Sequence, residues 1–274
     1  MRDYGDWPRT SELEGKVCFV VGGGSIAPGW GIGKAIAVAY ARAGAAVAVC
    51  DVTFSAAQET AGIIADDGGR ALALEVDATD AGSVSAALQA TADAFGGVHV
   101  VHNNVGIGKA GDPAQTSAED WQRIANANLL ALHITTQAAL PLLKAQGGVF
   151  LTTSTIGSMR HIGVPHLAYG ATKAAANHFS RLVAVEYAPF GIRSNVLVVG
   201  LVDTPRIQTT MKAAYGGNPE EMTARRSRQV PLGFMGDAWD VAHAAVFLAS
   251  DKARFISGAE LVIDGALTVT TRTA

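Results

Sequence analysis

The sequence predicts an α/β fold: one domain with a doubly wound parallel sheet and helices on both faces. Three observations lead there. Short β-rich runs alternate with helical patterns along the chain, an order that builds parallel strands joined by right-handed crossovers. Most of those runs are continuously apolar, as strands covered on both faces must be. Of 274 residues 31 are glycine, with 49% hydrophobic and 16% charged, which suits one large core and many tight turns.

Residues 17–21 read as the first strand, and a glycine run carries it into a helix over 33–43. A second strand at 46–50 is followed by a helix over 55–66, a third at 71–76 by a helix over 81–94. The strand at 98–102 leads through a loop to a long helix over 117–143, and the strand at 149–153 to a helix over 169–187. A strand at 193–198 precedes residues 201–236, which follow neither period and read as a lid at the carboxyl edge of the sheet. A helix over 237–249 and a strand at 260–263 close the pattern. Residues 1–12 read as an arm and 13–274 as the single domain.

The net charge of −3 carries no polyanion signature, so nucleic acid is excluded as a partner; Arg225, Arg226 and Arg228 read as a solvated face or a subunit contact. Cys18 and Cys50 each sit in an apolar strand, as buried free thiols of a reducing compartment do. No apolar run reaches a membrane span and the amino terminus lacks a signal-peptide core, so the expected location is cytoplasmic. No His/Cys/Asp spacing suits a metal.

Chemistry enters at the glycine run, Gly22 to Gly33. Glycines let the backbone turn sharply against a pyrophosphate, and the following helix offers its free N–H groups and positive dipole end. A Rossmann-type dinucleotide site is therefore expected, with Gly23, Ser25, Trp30, Gly31, Ile32 and Gly33 among its contacts. Asp51 ends the second strand, where a carboxylate accepts both adenosine ribose hydroxyls and repels a 2′-phosphate. Neither Val52 nor Thr53 is basic, so the expected cofactor is NAD, with NADP less favoured.

Tyr169 and Lys173 stand one helical turn apart and share a face. Hydride transfer to a ketone needs a proton for the oxygen, and the reverse needs a base. A phenol must come down by about 3 pH units, roughly 4 kcal/mol, to work near neutrality. One ammonium about 4 Å away at an effective dielectric of about 20 supplies that.

Taken together these motifs resemble the short-chain dehydrogenase/reductase family over residues 13–269. His102-Asn103-Asn104-Val105-Gly106 is similar to its Asn-Asn-Ala-Gly turn, Asn126-Ala127-Asn128-Leu129 to its helix segment, and Tyr169-Gly170-Ala171-Thr172-Lys173 to its Tyr-x-x-x-Lys signature. The resemblance implies Tyr169 as acid/base, Lys173 as its pKa-lowering and ribose-holding partner, and Asn128 as anchor of a proton-relaying water. It further implies cofactor contacts from Asp77, Ala78, Asn103, Val105, Gly106, Gly200, Val202 and Thr204. Pairing of the two long helices between subunits implies a homotetramer.

Three departures stand out. Seven residues separate Gly23 from Gly31 where the family has three, and Gly22 replaces Thr. The loop is similar to that of divergent enoyl reductases, which space Tyr and Lys more widely, so double-bond reduction ranks low. The catalytic hydroxyl is either Thr155 or Ser154, since side chains alternate along a strand and one of them faces the site. Val199 stands where the family has Pro. A secondary alcohol/ketone of apolar, cyclic or aromatic character is expected over Ile156, Ile162, Val164, Leu201, Ile207 and Met211; His161 and His166 could bind a polar substituent or lie exposed. The competing readings are an NAD-binding sensor without turnover and an isomerase or lyase using bound NAD transiently.

Overall fold

The computed structural model describes residues 9–210 and 218–271. The strands are β1 (Val17–Val21), β2 (Ala46–Asp51), β3 (Arg70–Glu75), β4 (Val100–Asn103), β5 (Gly148–Thr155), β6 (Ile192–Val199), the two-residue β7 (Val202–Asp203) and β8 (Gly236–Asp237), and β9 (Glu260–Ile263). The helices are α1 (Ile32–Arg42), α2 (Phe54–Asp66), α3 (Ala81–Phe95), α4 (Ala118–Ala125), α5 (Ala131–Lys144), α6 (Leu167–Glu186), α7 (Pro205–Thr210), α8 (Pro219–Gln229) and α9 (Ala238–Ala249). Seven strands form one sheet in the order β3-β2-β1-β4-β5-β6-β9, every pair parallel.

Strand alternation splits the apolar residues between two cores. Cys18 and Val20 pack with α1, α2 and α9, while Phe19 and Val21 pack with α3, α5 and α6. This is why β1 reads as an unbroken apolar run: each face has its own cover. Both cysteines are buried and free.

Two expectations change. The helix over 117–143 is interrupted by a π-helical turn, Asn126–Leu130, placed between α4 and α5. The described residues of 201–236 carry regular structure: β7 pairs with β8, and α7 and α8 lie between them in sequence. The start of α8 carries its own signal, because Asn218 Oδ1 accepts from the Glu220 and Glu221 N–H groups at 3.0 and 3.2 Å with Pro219 opening the helix. Arg226, read as part of a solvated face, is turned inward, while Arg225 and Arg228 are exposed.

A buried polar chain crosses the sheet below the carboxyl edge. Tyr40 Oη and His102 Nδ1 lie 2.7 Å apart, and His102 Nε2 is 2.9 Å from Thr153 Oγ1. Burial holds His102 neutral, its pKa brought down from 6.5 to about 3. The unfolded chain takes up this proton first, so stability should fall with pH between about 6.5 and 3, by up to about 1.4 kcal/mol per unit from this group. Urea midpoints of wild type and His102→Gln across that range check it; the variant loses this part of the slope.

Candidate active site

The strand order reverses between β1 and β4, leaving a crevice at their carboxyl ends, where dinucleotides bind in such sheets. Gly22 turns the chain out of β1 with φ 76°, and its carbonyl accepts from Asn104 Nδ2 at 2.9 Å. Helix α1 then passes so close that a Cβ on Gly33 would lie 1.8 Å from the Gly22 carbonyl oxygen. Asp51 closes the far side: its carboxylate accepts from the Gly24 N–H and the Thr53 N–H, both at 3.0 Å. A Cβ on Gly24 would meet that carboxylate at 2.8 Å.

The lengthened part of the loop is built into the fold. Ser25 Oγ donates to the Ala27 carbonyl at 2.7 Å, and Gly29, at φ 116°, lies against Pro205. Trp30 meets Trp239 of α9 edge-on with centroids 4.9 Å apart, and Lys34 Nζ sits 5.3 Å from the Trp30 ring. Trp30 and Ile32 are partly buried and pack their side chains against the core, and the lengthened loop lies against α7 and α9. Gly31 is the N-cap residue of α1.

Across the crevice Asn103 is buried, and its Nδ2 has no hydrogen-bond partner among the described residues. Asp77 is exposed at the mouth and accepts from Thr79 N and Oγ1 at 2.8 and 2.6 Å, bonds that hold its carboxyl below the usual range. Ala78 beside it is buried. Gly200 passes the turn after β9, where a Cβ would stand 2.6 Å from Asp264 Cα. Val202 packs into the core under α9, and Thr204 is buried next to α7.

Lys173 Nζ is buried and donates to the Thr153 carbonyl at 2.8 Å and the Val105 carbonyl at 3.0 Å. Burial, with the Arg206 charge adding, brings its ammonium down to about 7. Gly106 lies close under Lys173, since a Cβ there would stand 2.9 Å from its Nζ. Asn128 lies in the π-helical turn, a conformation that often marks functional positions. Its Oδ1 accepts from Ile107 N at 2.7 Å, and its Nδ2 donates to Ile107 O and to Thr172 Oγ1, both at 3.0 Å. The amide thus ties the loop after β4 to α6.

The two hydroxyl candidates separate cleanly. Thr155 lies beside the Tyr169 phenol and its Oγ1 accepts from the Gly157 N–H at 3.2 Å, whereas Ser154 is buried with its Oγ lacking a partner among the described residues. Alternation puts Ser154 on the side of Thr152, whose hydroxyl meets Ser180 of α6. Tyr169 itself departs from expectation. Burial raises its phenol above the ordinary value, opposed first by the Arg206 charge and then by the neighbouring Thr155 hydroxyl. Lys173, assigned that task by its spacing, is turned onto backbone carbonyls and is itself desolvated.

Arg206 is the residue that motif reading missed. It extends from α7 and donates to the Gly106 carbonyl. Its only trace in the sequence is a lone arginine in the otherwise uncharged stretch from Thr204 to Met211. Of the apolar candidates, Val164 and Ile207 are half-buried and Leu201 is buried. Ile156 is 1% exposed and packs with Val196 and Val198, with Ile162 against the same cluster. Met211 lies outside the described residues. His166 stacks edge-on to Tyr169 at 6.3 Å and is kept below its usual pKa by burial, while His161 is exposed.

A family model described as enoyl-(acyl carrier protein) reductase matches residues 26–268. The chain is 34% identical over 261 residues to 2,5-dichloro-2,5-cyclohexadiene-1,4-diol dehydrogenase of Sphingobium indicum, covering 94% of this chain and 98% of that one. The chain belongs to the short-chain dehydrogenase/reductase family. A second relative of this family member, cyclohexanol dehydrogenase of an Acinetobacter species, is 32% identical, with 94% of this chain and 97% of that one covered. A crystal structure of a short-chain type dehydrogenase/reductase from Mycobacterium marinum superposes with a TM-score of 0.85 at 32% identity, covering 94% and 97% of the two chains. This short-chain dehydrogenase/reductase is accordingly an oxidoreductase of the kind that uses a nicotinamide dinucleotide. The glycine cradle and the orphaned Asn103 amide fit that group. No helix among the described residues is long and apolar enough to cross a membrane, and no group of three or more metal-ligating side chains occurs among them.

Proposed function

We propose that this chain is an NAD-dependent alcohol dehydrogenase/carbonyl reductase acting on a secondary alcohol and its ketone, with Tyr169 as general acid/base. The observation that carries this reading is Tyr169 and Lys173 one turn apart on α6, with Lys173 Nζ fixed on the Thr153 and Val105 carbonyls and Thr155 beside the phenol. In oxidation Tyr169 Oη takes the hydroxyl proton while the carbon-bound hydrogen leaves with its electron pair. The dinucleotide, when bound, supplies the acceptor for that hydride. Thr155 Oγ1 steadies the substrate oxygen as charge develops on it. Lys173 and Asn128 hold the loop after β4 against α6 and keep a proton path beside the phenol. Gly23, Ser25, Gly31 and Gly33 line the pyrophosphate, and Asp77, Ala78, Asn103, Val105, Gly200 and Thr204 line the rest of the cofactor cleft.

Both named relatives act on a hydroxyl carried by a six-membered carbon ring, which supports a cyclic, mainly apolar substrate. Residues 201–236 act as its lid, with Val164, Leu201 and Ile207 on the apolar side. The description of the matching family model favours a second reading, enoyl reduction. Cyclohexanol with NAD, cyclohexanone with NADH and an enoyl thioester with NADH, run side by side, separate the two. Turnover of the thioester alone overturns the proposal.

Asp51 supports NAD over NADP. With two backbone N–H groups fixing its carboxylate, it faces the place where an adenosine ribose is expected. Asp51→Ser should weaken NADH about 10- to 100-fold and erase most of the discrimination against NADPH, both read by fluorescence titration. A homotetramer in the cytoplasm completes the proposal. Leu182 and Val185 of α6 are exposed apolar residues at 47% and 76%, which supports pairing through that helix; a sedimentation mass of one chain rejects it.

A further inference from the structure

Two cations bond to consecutive carbonyls of the loop that follows β4. Lys173 Nζ donates to Val105 O at 3.0 Å, and Arg206 donates to Gly106 O. The same loop backs the phenol ring, since a Cβ on Gly108 would lie 3.2 Å from Tyr169 Cγ. One cation comes from α6 beside Tyr169. The other arrives from α7, outside any motif, and α7 is itself seated on the lengthened glycine loop where Pro205 meets Gly29.

We infer that Arg206 is a positioning residue for proton transfer: clamped on the Gly106 carbonyl, its guanidinium favours the charged, proton-accepting form of Tyr169. This rests on Tyr169 being the acid/base. A guanidinium stays charged throughout the working range, whereas burial leaves Lys173 titrating at about 7. Among the described residues Arg206 is therefore the cation that persists beside the phenol above neutrality. The other groups near Tyr169 among the described residues do not replace it. His166 is kept below its usual pKa by burial, and Lys109, on the loop of Gly108, is paired with Asp120 of α4 at 2.5 Å on the exposed surface. Burial pushes the phenol up, and the Arg206 charge is the largest influence against it.

The test titrates phenolate absorbance in wild type, Arg206→Gln and Arg206→Lys, each corrected by the same titration of Tyr169→Phe. It also records the pH profile of kcat/KM for cyclohexanol oxidation. Arg206→Gln keeps a donor for the Gly106 carbonyl and removes the charge. Its Tyr169 midpoint and the rising limb of its profile should move up by about one pH unit. Arg206→Lys, which restores a cation, should move them by less than half as much. An unmoved midpoint in folded, NADH-binding Arg206→Gln overturns the inference, as does a rise in KM with the profile unshifted, or a shift in Arg206→Lys as large as in Arg206→Gln. Turnover surviving in Tyr169→Phe would instead defeat the acid/base reading itself.

Discussion

Tyr169→Phe is expected to lower kcat for alcohol oxidation and ketone reduction by about 10²- to 10⁴-fold, with NADH affinity kept within a few-fold. The substitution deletes one oxygen and leaves the ring, so the contact with Gly108 and the packing at the start of α6 persist. What disappears is the phenolic proton beside Thr155. Loss of one hydrogen bond costs about 1 kcal/mol of stability, too little to account for a thousandfold fall in rate. Direction matters as well. A phenol held above its ordinary value is protonated at neutral pH, which suits ketone reduction, whereas oxidation needs the phenolate and should rise with pH. Stopped assays in both directions from neutral to alkaline pH check this. Comparable turnover in the variant would remove Tyr169 from the chemistry.

The sheet was legible because its signal is local. Continuous apolar runs and one-turn spacings depend on neighbours a few residues away, and β1, β5 and β9 fall where the pattern puts them. The π-helical turn at Asn126–Leu130 was hidden for the opposite reason: α4, the turn and α5 share helical backbone angles at their junctions, so no breaker marks the change. The Thr155–Ser154 choice needed side-chain direction at a strand end, which periodicity leaves open until the strand is anchored to α6. Arg206 was illegible for a third reason. Its partner, Gly106, lies 100 residues away and accepts through a backbone carbonyl, a group every residue possesses. The ring contacts of Trp30 with Trp239 and Lys34 were hidden in the same way, since those partners lie on helices outside the glycine loop.

Two glycine-to-alanine substitutions should move stability in opposite directions, and only one should touch the cofactor. At Gly33 the added methyl would sit 1.8 Å from the Gly22 carbonyl oxygen and 2.5 Å from Asn104 Nδ2. Neither neighbour is a flexible side-chain end: the carbonyl is backbone fixed by β1, and the amide is held by its 2.9 Å bond to that same carbonyl. Helix α1 must therefore lift from the loop, and overpacking of this kind costs about 1–3 kcal/mol or more. The lifted helix also withdraws its N-terminal N–H groups from the pyrophosphate, so Gly33→Ala should lose NADH binding by at least about tenfold. Gly62 is the control. It lies exposed inside α2 with nothing within 4 Å of its would-be Cβ, and its backbone is ordinary helix. Alanine there only reduces the freedom of the unfolded chain, so Gly62→Ala should gain about 0.5–1 kcal/mol. Urea midpoints and NADH titrations on the two variants decide the matter: if Gly33→Ala melts and binds as wild type does, the close approach of α1 to the loop is not what shapes the dinucleotide cradle.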